Sequence, residues 1–267
     1  SPSDRLFHQQ MVYAVCSLVY ASFRTALGRH VAWGFDRRQD HPAQLRIRPH
    51  ALQCNNAYYD KQRGELNFGY YQATEEVGGH NLPRGIVYTC LSHDIIAHEV
   101  THALLDGLRT HFTFPSNADV LAFHEAFADL VAIFQHFSYD KILRIAIQKW
   151  RGNLQSATLL TDIARQFGQT TGKNEKALRS AIDLSGSSQE PKPYSSDAEP
   201  HELGSILVSA VFEAFITVFR RKTAPFIRLA TNGSGKLPAG EISQDLQGVL
   251  AAEASKLASQ FMRICIR

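Results

Sequence analysis

Paired cysteines are missing from this sequence. Its four, Cys16, Cys54, Cys90 and Cys265, are far apart and form no C-x-x-C, which argues against a thiolate zinc site or a disulfide framework and for buried free thiols. The compartment stays open, because a secreted protein with few disulfides has the same composition. Basic tracts are missing too: the formal net charge is +3 and "RTALGR", "DRRQ" and "FRRK" are short and scattered, so no nucleic-acid partner is expected. No signal peptide is expected at the start, where charge and polarity interrupt the apolar pattern of "SPSDRLFHQQMVYAVCSLVY". The most hydrophobic run, Leu203 to Phe219, is short for a bilayer and carries Glu213, so a buried core helix in a soluble protein is expected rather than a transmembrane segment. There is no internal repeat. The chain begins with serine and stops in "FMRICIR" without a turn signal, as a processed or excised piece of a longer protein would.

What is present is ordinary globular composition, 44% hydrophobic and 20% charged over 267 residues, enough for one large domain or two lobes. From Asp4 to Leu27 the residues Phe7, Met11, Val15, Leu18, Val19 and Phe23 recur at helical spacing, with Gly28 in the position of a C-cap. The period then changes. "QLRIRPH", "NNAYYD", "ELNFGYYQ" and "GIVYTC" read as short strands, with a turn around Gly64 between the second and third. Ser92 is placed to cap a helix ending near Arg109, and Ser116 to cap a second, "NADVLAFHEAFADLVAIFQHF". The rest reads as helix apart from two loops, one of them the Ser- and Pro-rich "DLSGSSQEPKPYSSDAEP" at 183–200. The fold class expected is α+β and predominantly helical. An α+β lobe over residues 1–112 would precede a helical lobe over 113–267.

The chemistry sits in "SHDIIAHEVTHALLDGL". His98 and His102 are i and i+4 on one helix face, so both imidazoles can aim at one metal ion, and Glu99, turned about 100° away, falls beside the ion as a candidate general base. A catalytic zinc takes three protein ligands and keeps a position for water, so a third donor is required. "AFHEAFADLVA" offers Glu125, with Asp129 one turn on. Two carboxylates on an otherwise apolar helix are costly unless something positive meets them. Glu125 is therefore the expected third ligand, and Asp129 the acceptor for the second N–H of a ligating histidine. His124 competes for the third position but points about 100° away from that face. His80, His93 and His136 read as surface or packed histidines.

With these motifs in place the chain resembles the thermolysin-like zinc peptidases of the glutamate-zincin clan. The resemblance runs in order through "NNAYYD...LNFGY", "DIIAHEVTHALLD", "HEAFADLVA", "ALRS" and "DAEPHELGS". It implies a zincin fold with one zinc per chain and a peptide or protein substrate. It also implies that Asn56 and Ala57 form an edge strand binding substrate backbone, that Arg179 supports a substrate carbonyl, and that His201, oriented by Asp197, stabilises the tetrahedral intermediate. Three departures stand out. The gap from His102 to Glu125 is longer than the family's, so the loop between the helices should bulge. No tyrosine lies in that gap, which leaves the oxyanion to His201 alone. Asp94 matches a calcium ligand of the family, but His136 falls where an acidic partner should be, so calcium is not expected; the family's long N-terminal β region is missing as well. Zinc-dependent peptide hydrolysis is the first reading. The alternatives are a zinc hydrolase for a non-peptide amide and a zinc-binding module without catalysis, against which the intact Glu99 argues.

Overall fold

The computed structural model describes residues 3–35, 43–73, 84–109, 112, 114, 116–150, 194–195, 198–237, 240 and 242–267. The protein is mixed α+β and mostly helical, with one small sheet near its N-terminus. Helix α1, Arg5–Leu27, starts where the Asp4 carboxylate accepts from Leu6 N at 2.9 Å and ends at Gly28 in the left-handed region, φ 68°. Its buried stripe is His8, Val12, Val15, Val19, Phe23 and Ala26. The stripe is rotated from the one expected, since Leu18 is exposed and the ring of His8 is buried on its own face.

The sheet is organised around β3, Glu65–Gln72, whose Leu66 and Phe68 are fully buried. Strand β1, Arg46–Leu52, pairs with it in parallel from Arg46 opposite Glu65. The register slips between Arg48 and Leu52, where Pro49 has no N–H to offer the ladder. Strand β2, Ala57–Asp60, runs antiparallel to β3 through a turn at Gly64, and β4, Ile86–Tyr88, pairs antiparallel with the end of β3. Gly69 lets the strands close up ahead of β2. A Cβ there would fall 2.2 Å from the carbonyl oxygen of Cys54, and its N–H donates to Asn56 O at 2.8 Å.

Helix α2, His93–Leu108, is capped as expected by Ser92 and is buried along nearly its whole length. Helix α3, Ala118–His136, is capped by Asn117, whose side chain accepts from Val120 N at 2.9 Å; the cap falls one residue after Ser116 because the amide oxygen of Asn117 reaches the open N–H. Helix α4, Asp140–Trp150, follows directly. Helix α5, Pro200–Ala230, is long and apolar enough to cross a membrane, yet Val208, Phe212, Phe215 and Phe219 join one apolar cluster with residues of α1, α2, α3 and α4. Helix α6, Gln244–Ile266, packs on α4 and α5. Residues 151–193, which include Arg179, and residues 196 and 197, the latter Asp197, lie outside the described residues, as do residues 110, 111, 113 and 115 of the loop expected to bulge.

Candidate metal centre

Helices α2 and α3 pack side by side, and the contact between them concentrates the polar groups of an otherwise apolar interface. The Nε2 atoms of His98 and His102 stand 2.9 Å apart, and Glu125 Oε2 lies 3.2 Å from the first and 3.5 Å from the second. Bonds of about 2.0–2.2 Å in a tetrahedral shell put neighbouring ligand atoms about 3.3 Å apart, so this triangle has the size of one ion's coordination face. Glu125 Oε2 is buried without a hydrogen bond, although three imidazole nitrogens surround it. An orphaned carboxylate oxygen at the focus of such donors fits a cation better than it fits a hydrogen-bond network. The site residues thus fit zinc, whose common ligands are imidazole and carboxylate.

The ligand rings are held from behind. His98 Nδ1 donates to Asp129 Oδ1 at 2.8 Å, the contact expected from the i, i+4 spacing of Glu125 and Asp129. This leaves Nε2 of His98 as the ligating atom. His102 Nδ1 meets His124 Nδ1 at 2.6 Å, with the two rings stacked 4.7 Å apart. His124 therefore steadies His102 and does not compete with Glu125 for the third position. Sequence reasoning missed this support, and the only signal for it was a polar residue directly before the ligand on a largely apolar helix.

Electrostatics agree with the geometry. Burial pushes the His98 imidazole down, but the carboxylates of Asp129 and Glu125 outweigh it and hold it well above the usual histidine range. Burial would raise the Glu125 carboxyl, and the His102 and His98 rings instead hold it well below the usual carboxylate range. His124 is pushed down to about 3, first by burial and then by the nearby His102.

These groups open onto a cleft of about 780 Å³. Asn56 and Ala57 line one side, brought there by the close approach at Gly69, and Glu99 and His201 line it beside the ligands. Phe35, Tyr58, Phe112 and Phe114 make the remaining wall largely aromatic, a feature that no spacing in the sequence announced. His201 is the second residue of α5, just after Pro200, and its Nδ1 is buried 3.3 Å from Glu125 Oε2. Gly204 permits this placement. A Cβ on it would lie 2.6 Å from Ala122 O, so only a glycine lets α5 approach α3 so closely.

Among the described residues two further groups have the spacing of metal donors, His93 with Asp94 and His136, and His8 with His50 and Cys90. The latter has no carboxylate among its donors, and burial pushes the Cys90 thiol up to about 11, so it is the poorer ligand set. Compared with protein-family models, with curated proteins and with solved structures, the chain gives no match.

Proposed function

We propose that the protein is a zinc-dependent peptidase of thermolysin-like architecture, cleaving peptide bonds inside an extended substrate. The observation that carries this reading is the triangle of His98, His102 and Glu125, which lines an open cleft together with Glu99. The order of elements, a strand that starts at Ala57 just after Asn56, then the metal-binding helix, then the helix of Glu125, supports the architecture. A bound zinc supplies a Lewis acid that lowers the pKa of a water to about 7 and polarises a carbonyl.

The chain's own residues do the rest. Glu99 accepts the proton of the attacking water and passes it to the leaving amine. His201 donates to the oxygen that becomes negative on the substrate carbonyl. Asn56 and Ala57 pair with the substrate backbone as an added strand, which favours an unfolded or extended peptide over a compact one. Aromatic side chains along the cleft favour apolar substrate side chains.

Casein cleavage by the zinc-loaded protein, by the chelated protein and by Glu99→Gln tests the reading. Hydrolysis is expected only in the first, with zinc content unchanged in Glu99→Gln, because an amide cannot take the proton. Turnover retained in Glu99→Gln would remove that residue from the base role. No cleavage of casein by a fully loaded parent would leave a zinc-binding module or a hydrolase of non-peptide amides.

A further inference from the structure

We propose a second metal site, separate from the cleft, in which His93, Asp94 and His136 hold a divalent transition-metal ion of the zinc class. The three residues lie at the other end of the α2 and α3 pair. His93 and Asp94 open α2, and His136 is the last residue of α3, eleven residues and about 16 Å of helix beyond Glu125. Both histidines read from the sequence as surface or packed residues, His136 standing where the resemblance expects an acidic partner for Asp94, and the antiparallel pairing of the helices brings His93 to the same point.

The donor atoms converge. His93 Nδ1 is 3.0 Å from His136 Nε2 and 3.8 Å from Asp94 Oδ1, and Asp94 Oδ1 contacts His136 Nε2. The two spacings from His93 bracket the separation of about 3.3 Å between ligands of one tetrahedral ion, while Asp94 and His136 stand closer than that. Hydrogen bonding among the three accounts for them poorly. If His136 Nε2 carries a proton, one N–H faces both the Asp94 oxygen and the His93 nitrogen. If it carries none, its lone pair faces the carboxylate. A cation at the common focus satisfies all three lone pairs at once.

The outer contacts suit that arrangement. His93 Nε2 lies 3.0 Å from the hydroxyl of Tyr139, so with Nδ1 on the metal the remaining N–H has an acceptor that fixes the tautomer. Asp94 and His136 are buried, while His93 is only partly so and leaves a route for the ion. The donor set chooses the metal class. Two imidazoles and one carboxylate suit zinc, cobalt or nickel, whereas calcium and magnesium take oxygen ligands almost alone. The cation also faces the carbonyl end of α3, and Asp94 offsets the positive end of α2.

Cobalt(II) titration of the chelated protein, followed by visible absorption and by metal analysis after gel filtration, tests the site. The parent is expected to take up two equivalents, and His93→Ala and His98→Ala one each with different absorption spectra. Asp94→Asn, with circular dichroism to show that it is folded, should behave as His93→Ala. Equal uptake by the parent, His93→Ala and folded Asp94→Asn would overturn the second site. Loss in His93→Ala with none in His98→Ala would instead overturn the cleft site, so the two assignments fail separately.

Discussion

At the scale of single residues, His201 carries the most exposed claim. Its neighbours in the chain gave it a helix start and buried packing below, and the structure sets its Nδ1 3.3 Å from Glu125 Oε2 with its ring 6.2 Å from that of His98. In the proposed role of oxyanion donor, His201 acts on charge that forms only in the transition state. His201→Ala should therefore lower turnover about a hundredfold, the usual effect of removing one oxyanion donor, with zinc content unchanged. Steady-state kinetics and metal analysis on the same sample check it, and activity within threefold of the parent would assign the oxyanion to another group. The convergence of His98, His102 and Glu125 was legible because its information is local: i, i+4 spacing on one helix for the two histidines, and two acids on an apolar face for Glu125 and Asp129. The pairing of His102 with His124 was not, because it depends on how two helices face each other.

At the scale of elements, β3 was legible to the residue, since Leu66, Phe68 and Tyr70 alternate with residues of the opposite face and Gly64 marks the turn, whereas β1 and β2 start two residues later than expected and Thr89–Leu91 turn as a 3-10 helix instead of extending β4. The parallel pairing of β1 with β3 was not legible. Consecutive strands suggest hairpins, and nothing local to "RIRPHAL" reports that β3 lies between β1 and β2. The same limit hid Gly204, whose role exists only where α5 crosses α3. Gly204→Val should force the helices apart, since its Cβ would meet backbone atoms, Ala122 O at 2.6 Å and Ala126 N at 3.2 Å. The expected cost is about 1–3 kcal/mol of stability from overpacking. Turnover should fall by roughly tenfold or more, because displacement of His201 by a fraction of an ångström degrades its aim. Gly248→Ala is the control. In α6 its Cβ would meet only the end of the Arg144 side chain, at 3.2 Å, so thermal stability should be equal or slightly higher. A Gly204→Val protein with the melting temperature and turnover of the parent would break the link between this helix contact and the site.

At the scale of the whole molecule, the two groups proposed to hold metal ions join α2 to α3, and α2 and α3 sit in the apolar cluster that also takes in α1, α4, α5 and α6. Ion binding should therefore register as global stability. An ion present at about a thousand times its dissociation constant adds about 4 kcal/mol. In a protein of this size that corresponds to a melting temperature on the order of 10 °C higher than after chelation. The difference should depend on pH in a definite direction. In the chelated protein the carboxylates of Asp129 and Glu125 hold His98 well above its ordinary value in spite of burial. Its pairing with them therefore stabilises the fold fully below about pH 6.5, the unfolded value, and that contribution is lost as pH rises through the higher folded value. Ion binding runs the other way, because the imidazoles must be deprotonated to ligate. The gap between loaded and chelated melting temperatures should widen from pH 6 to pH 8, and differential scanning calorimetry of both forms measures it. A gap that is constant or narrows over that range would mean that His98 is not both paired in the chelated protein and a ligand in the loaded one.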